Sequence, residues 1–332
     1  MKPSLLITES VAENKLADLE NSVQVTFAPE LWKKTDHLLE VIQTFDALLV
    51  RNQTQVTESL IQAAQKLKVV GRAGAGLDNI DVEAASRHGI VVSYAPTQNT
   101  NAVAEFTIGL IFALSRWISS ADKDTKKGGW KRAAFTGVEL EGKVLGVVGL
   151  GRIGFLAAQK ARALGMKIVV YDPFAQNLSE RTKALDAKAM DLEALLASAD
   201  YISCHVPETA TTRHLFNKQS FSEMKRGAFF INASRGGVVD EEALLGALTD
   251  GGLAGAALDV REAEPPTAGR LAQMDNVILT PHIAAFTKEA QERVEEDVLK
   301  DVLAVLGGGD ALYPANSPAF LRRDNVAPRI HV

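Results

Sequence analysis

The stretch "KVLGVVGLGRIG" (143–154) decides how the rest of the chain reads. Its first half is almost continuously apolar, as a strand covered on both faces must be. Gly149, Gly151 and Gly154 then follow in G-x-G-x-x-G spacing. Next, "RIGFLAAQKARALG" has helical apolar spacing, and the run "KIVVYD" (167–172) ends in Asp172, 18 residues past the last glycine. Strand, glycine turn, helix and acid-tipped second strand make up a dinucleotide cradle. Gly149 would turn tightly, Gly151 would admit the pyrophosphate to backbone N–H groups, and Gly154 would let helix and strand pack closely. The helix N-terminus, opened by Arg152 and Ile153, lends partial positive charge to the phosphates. Asp172 suits ribose hydroxyls and repels a 2′-phosphate, and Pro173 and Phe174 follow with no nearby arginine to reverse that choice. NAD rather than NADP is the expected cofactor.

Working outward, the runs "YISCHV" (201–206), "AFFINAS" (228–234), "GAALDV" (255–260) and "VILTPH" (277–282) continue a strand–helix alternation. Asp191 and Asp240 read as helix N-caps and Gly251 as a residue past a helix end. Upstream, "LLIT" (5–8), "VQVTF" (23–27), "ALLV" (47–50), "KVVG" (68–71) and "IVVSY" (90–94) supply five more strands. The expected fold class is therefore α/β with two parallel sheets. "NAVAEFTIGLIFALSRW" (101–117) is apolar around most of its circumference, so it is either a central core helix or a face that packs on a second copy of the chain. The last helical pattern, 287–309, carries Val294, Val298, Leu299, Val302 and Val305 on one stripe. No second-series strand remains for it to cover, so it is expected to return to the first sheet.

With 332 residues the chain has room for two cores. An apolar fraction of 46% with 23% charged residues excludes a disordered or fibrous chain. A net charge of −5 argues against nucleic acid as a partner, because that binding needs clustered basic surface. One cysteine, Cys204, excludes a disulfide framework or a cysteine zinc cluster, and no metal is expected. No apolar run is long enough to cross a bilayer, and "MKPSLLITES" is too short an apolar start for a secretory signal. A cytoplasmic location with no membrane partner is expected.

Ligands of open α/β sheets bind beyond the carboxyl ends of the strands. Three ionisable residues stand at such ends: Arg235 after "AFFINAS", Glu264 four residues after "GAALDV", and His282 closing "VILTPH". Exchange between a 2-hydroxy acid and its 2-oxo acid needs a proton carrier with the pKa of histidine. A carboxylate beside the ring would orient it and favour the imidazolium, and a guanidinium would polarise the carbonyl and grip a carboxylate. Singly, each residue could equally be structural or part of a salt bridge.

From about Leu5 to Gly309 the chain resembles the D-isomer-specific 2-hydroxyacid dehydrogenases. The likeness rests on "GRAGAGLDNID" (71–81), "NTNAVAEFTIG" (99–109), "GWKRAAFTGVELEGKVLGVVGLGRIG" (129–154), "INASRGGVVDEEAL" (231–244), "ALDVREAEP" (257–265) and "LTPHIAAFT" (279–287). It implies an NAD-binding Rossmann domain, 99–285, inserted into a discontinuous flavodoxin-like substrate domain, 1–98 with 286–332. It implies that Arg235 contacts substrate, that His282 is the acid/base and that Glu264 is its partner. Arg152, Ile153, Asp172, Val206, Ala233 and Asp259 would contact NAD, Asp259 through the carboxamide.

"GRAGAG" lacks the dinucleotide spacing, but Gly74, Ala75 and Gly76 could present successive N–H groups to an anion, or simply make a tight turn. Arg51, Arg72 and Arg132 match positions that the phosphoglycerate-oxidising branch of the family associates with the substrate phosphate. A small anionic 2-hydroxy or 2-oxo acid bearing a second anionic group, phosphate before sulfonate, is the expected substrate, and serine biosynthesis the expected setting. Ala75, Ala284 and Phe286 depart from that branch toward glyoxylate and hydroxypyruvate reductases. An NAD-sensing scaffold or corepressor is the non-enzyme alternative, disfavoured by the intact Arg235, Glu264 and His282. A homodimer through the 101–117 region is expected. The quoted chain ends after "LYPANSPAFLRRDNVAPRIHV", so serine feedback through the C-terminal regulatory domain of some members is not expected.

Overall fold

A computed structural model describes residues 2–11, 19–174, 178–267 and 269–316. The 317–332 part of the expected substrate domain therefore lies outside the described residues. The chain divides into two compact units, Met1–Asn99 with Thr287–Val332, and Thr100–Phe286.

The first unit holds a five-stranded sheet of β1 (Ser4–Ile7), β2 (Gln24–Phe27), β3 (Ala47–Val50), β4 (Val69–Arg72) and β5 (Val91–Tyr94), in the order β2-β1-β3-β4-β5. Every pairing is parallel. This is the flavodoxin-like strand order. The period of two sorts the strands between two cores. Leu6, Leu48, Val50, Val70 and Val92 face one way, with Leu38, Leu60, Ile61 and Ala84 of three short helices. Leu5, Ile7, Ala47, Leu49 and Val69 face the other, against Val294, Val298, Leu299 and Val302 of the helix Lys288–Leu306. That helix lies close to β4 because Gly71 has no side chain: a Cβ there would stand 2.7 Å from Val302 and 2.9 Å from Val298. On the same helix, the buried Asp301 carboxylate accepts from Ser93 Oγ (2.6 Å), Leu312 N (2.7 Å) and Tyr313 N (3.0 Å). Ser93 and Pro314 form an antiparallel bridge that covers the edge of β5.

The second unit holds seven strands: β6 (Val144–Val148), β7 (Lys167–Tyr171), β8 (Lys188–Ala189), β9 (Tyr201–Cys204), β10 (Ala228–Asn232), β11 (Leu253–Leu258) and β12 (Val277–Leu279). Their order is β12-β11-β10-β9-β6-β7-β8, again with every pairing parallel. The chain builds outward from β6 to β8, then crosses back to β9. Between β6 and β9 lies the switch point where such sheets bind ligands. The sequence gives no sign of β8, which is two exposed residues with no apolar pattern.

The helix Thr100–Ser115 buries Leu110, Ile111 and Leu114 against Ala158 and Ala161 of the helix Arg152–Ala163 and against β10 and β11. It ends before Trp117, whose φ of 54° is left-handed, and the next helix, Ile118–Lys126, turns away by 62°. Among the described residues no single helix is long and apolar enough to cross a membrane.

On the opposite face of β10, Phe230 meets Phe216 edge-on with centroids 4.7 Å apart and Phe221 at 5.4 Å. All three rings are buried. Phe230→Ala should cost about 3–5 kcal/mol through the cavity it leaves. Equilibrium urea unfolding read by near-ultraviolet circular dichroism should show the midpoint fall accordingly.

Candidate active site

The glycine turn leaves β6 at the switch point. Gly149 has φ +96°, donates to Tyr171 O (2.8 Å) and lies so close to β9 that a Cβ would stand 2.8 Å from the His205 carbonyl. Gly154 needs its bare Cα because a Cβ would fall 2.0 Å from Gly149 O. At Gly151 a Cβ would meet nothing within 4 Å, so the helix Arg152–Ala163 opens onto free space with no side-chain cap. Tight turn, open helix start and close helix–strand contact are what a pyrophosphate needs, so the residues fit an NAD cofactor. Val206 is buried against Gly149, Arg152 and Ile153 form the first helical turn, and Ala233 follows β10.

Asp172 accepts from Leu150 N (2.6 Å) and Phe174 N (2.8 Å). A carboxylate has about four acceptor sites, so ribose hydroxyls can still be served. One expectation needs correcting: an arginine is nearby. Arg181, in the helix Leu178–Leu185, donates to Leu150 O. It stands nine residues beyond Asp172, and only the return of that helix toward the turn brings it there.

The three strand-end residues stand at the ends of β10, β11 and β12, which are neighbours in the sheet. His282 Nδ1 and Glu264 Oε2 are 2.8 Å apart, both side chains about one-third exposed. Glu264 Oε1 accepts from Arg261 N at 3.0 Å. Burial alone would push the Glu264 carboxyl up, but the His282 and Arg261 hydrogen bonds and the charges of His282 and Arg235 hold it below its usual value. Arg235 is thus electrostatically coupled to the pair. Its own Nη1 donates to Ser234 O (2.7 Å), and Asn232 Nδ2 donates to Arg235 O (2.9 Å). Gly236 presses its backbone on the Glu264 loop, since a Cβ there would stand 1.8 Å from Arg261 O.

His282 has φ 56°, strained for a side chain of its size, and Asp259 holds it so. The Asp259 carboxylate is buried and accepts from Thr280 Oγ1 (2.6 Å), Ile283 N (2.9 Å) and Ala284 N (2.8 Å), while His282 N donates to Asp259 O (2.8 Å). Both Asp259 oxygens are therefore engaged by the turn that projects His282, a structural role the sequence reading did not include. Arg261 and Glu241 also escaped that reading. Arg261 Nε and Nη2 donate to Glu241 at 2.8 and 2.6 Å, and Glu262 N donates to the same carboxylate at 2.8 Å. Glu241 follows the N-cap Asp240 and, from sequence alone, reads as an ordinary first-turn acid.

In the first unit Arg72 folds over the "GRAGAG" turn: a Cβ on Gly74, where φ is +157°, would stand 1.3 Å from Arg72 Nη1. Gly74 N is already bonded to Arg72 O (2.8 Å), so Ala75 and Gly76 carry the N–H groups available to an anion beside that guanidinium. Arg51 is placed otherwise. Its Nη1 donates to Glu295 Oε1 (3.2 Å) and Ser10 O (3.3 Å), with both charged side chains largely buried. Arg132, exposed, starts the short helix Arg132–Phe135 of the second unit.

A parallel sheet with a dinucleotide-type turn at its switch point thus carries, beyond neighbouring strand ends, an imidazole–carboxylate pair under the influence of a guanidinium. Residues 108–284 match the NAD-binding domain of the D-isomer-specific 2-hydroxyacid dehydrogenases, and the chain belongs to that family. It is 43% identical over 318 residues to D-3-phosphoglycerate dehydrogenase of Bacillus subtilis (strain 168), covering 96% of this chain and 60% of that protein. The chain thus spans about three-fifths of the length of the curated relatives it matches. The TT0316 protein from Thermus thermophilus superposes with a TM-score of 0.88 at 33% identity over 94% of this chain and 100% of that one. D-lactate dehydrogenase from Aquifex aeolicus, solved with NAD and lactic acid, gives 0.80 at 30% identity over 92% and 96%.

Gly154→Val should weaken NADH binding at least about tenfold, a loss of roughly 1.4 kcal/mol, by forcing helix and turn apart. Titration of NADH fluorescence, with circular dichroism as a check on folding, measures this. His205, beside the same turn, has its imidazole pushed down from 6.5 to about 4 by burial. As pH falls from about 6.5 to about 4 the unfolded chain takes up a proton that the folded one refuses, so stability should decline by up to about 1.4 kcal/mol per pH unit. His205→Gln should flatten that part of the curve in urea unfolding at stepped pH.

Proposed function

We propose that the chain catalyses reversible, NAD-dependent oxidation of a D-2-hydroxy acid to its 2-oxo acid, with D-3-phosphoglycerate as the substrate and serine biosynthesis as its setting. The single observation that carries this reading is the 2.8 Å contact between His282 Nδ1 and Glu264 Oε2. Similarity to D-3-phosphoglycerate dehydrogenase over 96% of the chain supports the choice of acid.

Bound NAD supplies the acceptor for the hydride that leaves C2 of the substrate. The side chains do the rest. Glu264, held ionised, takes the Nδ1 proton of His282 in a hydrogen bond, which leaves the Nε2 lone pair free to accept the substrate hydroxyl proton. In the reverse direction the imidazolium returns that proton to the carbonyl oxygen, and Glu264 stabilises the positive ring meanwhile. Arg235 grips the substrate carboxylate and polarises the C2 oxygen. Arg72 with Ala75 and Gly76 makes the first unit's best anion-accepting surface, with Arg51 and Arg132 as further candidates. Gly149, Gly151, Arg152, Ile153, Gly154, Asp172, Val206, Ala233 and Asp259 are the proposed NAD contacts. In this reading the unit Thr100–Phe286 is the NAD-binding domain and the other the substrate domain. The protein works in the cytoplasm as a homodimer through the 101–117 region.

A second reading, reduction of hydroxypyruvate or glyoxylate, is favoured by Ala75, Ala284 and Phe286. A panel of 2-hydroxy and 2-oxo acids at matched concentration, followed by NADH absorbance, separates the two, and turnover of none of them would sink both. His282→Asn should lower kcat by about 10²–10⁴-fold, the usual worth of a positioned acid/base, while NADH affinity stays near that of the parent. Full turnover in that variant would remove His282 from the mechanism.

A further inference from the structure

The loop after β11 carries two groups that could compete for one carboxylate. Glu264 Oε1 already accepts from the backbone N–H of Arg261, so the Arg261 side chain departs from a residue bonded to Glu264. The electrostatic field of Glu264 is felt at that guanidinium, after the larger influence of Glu241 and opposed by burial. Arginine pairs with a carboxylate through two parallel N–H bonds and outcompetes a single imidazole N–H for it. Arg261 nonetheless turns to Glu241, which accepts its Nε and Nη2 at 2.8 and 2.6 Å and holds Glu262 N at 2.8 Å. Both partners are largely buried, the Arg261 side chain being 12% and Glu241 20% exposed. Gly236 pins the loop from the other side, against Arg261 O. Of the other charged groups here, Glu262 Oε1 lies 2.7 Å from His214 Nε2, and Arg235, whose Nη1 bonds Ser234 O, acts on Glu264 through its charge.

We propose that Glu241 is a positioning residue of the reaction: by holding the Arg261 guanidinium it keeps that cation off Glu264, and so reserves Glu264 to orient His282. The inference rests on the reading of His282 as the proton carrier. Without the Glu241 charge the Arg261 side chain swings to Glu264, His282 Nδ1 loses its acceptor, and the ring drifts toward the tautomer that carries its proton on Nε2. That tautomer cannot accept the substrate hydroxyl proton. Arg261 is thus harmful only when unrestrained, which a mere structural staple would not be.

The test is nitrogen-15 NMR of the His282 ring at a pH where it is neutral, assigned by its disappearance in His282→Asn, alongside kcat and KM. In Glu241→Gln the share of Nδ1–H tautomer should fall and kcat should drop about tenfold, or ~1.4 kcal/mol, with the KM for NAD unchanged. Adding Arg261→Gln to Glu241→Gln should restore both tautomer and kcat, because the competing cation is gone. Arg261→Gln alone should keep the parental tautomer, and it keeps the proposal testable if Glu241→Gln fails to fold. A parental tautomer in Glu241→Gln, no recovery in the double variant, or loss of the tautomer in Arg261→Gln would overturn it. The NMR readout needs no substrate, so a parent protein that oxidises no 2-hydroxy acid while the tautomer follows these variants refutes the proposed function and leaves the positioning claim standing.

Discussion

The Asp259 carboxylate is the interaction on which the site depends. It is 1% exposed, and a buried charge of this kind survives only when its oxygens are fully hydrogen-bonded. Its donors, Thr280 Oγ1, Ile283 N and Ala284 N, all come from the turn after β12. One side chain at the end of β11 thereby dictates the path of the neighbouring strand's exit and holds His282 at φ 56°. Glu264, five residues past Asp259 on the same loop, then meets the ring at 2.8 Å. The ring is thus held by the turn after β12 and its carboxylate partner by the loop after β11, both anchored at the ends of neighbouring parallel strands.

Around that anchor the chain repeatedly needs residues without side chains, because backbone meets backbone. Gly154 against Gly149 O closes the cofactor turn, and Gly236 against Arg261 O seats the loop of Glu264 beside Arg235. In each case a Cβ would fall at or within 2.0 Å of a carbonyl oxygen, far inside van der Waals contact. These glycines therefore fix distances between functional groups. They do more than allow flexibility.

Charged groups show a different economy. Arg51 answers the buried Glu295, Arg261 answers Glu241, and Asp301 gathers Ser93 with the 312–313 backbone. Each pairing satisfies a group that would otherwise be costly to bury. Arg72 stands over a glycine turn whose next two N–H groups have no protein acceptor among the described residues, and its Nη1 donates to Ala73 O at 3.3 Å. Residue type alone does not distinguish the surroundings of Arg51 from those of Arg72.

Much of this was legible in the chain itself. Eleven apolar runs and their helical intervals are local patterns, and hydrophobic periodicity is a local signal, so the two parallel α/β sheets and the NAD turn could be read directly. The two-residue β8 could not, because it carries no such pattern. Nor could the approach of Arg181 to Leu150, the pairing of Arg51 with Glu295 244 residues away, or the restraint of Arg261 by Glu241. The chain by itself determined which strands form, where the glycine turn lies and which ionisable residues stand at strand ends. Only the tertiary structure decided which charged groups pair with one another, because partner choice depends on distances between segments that no sequence spacing encodes.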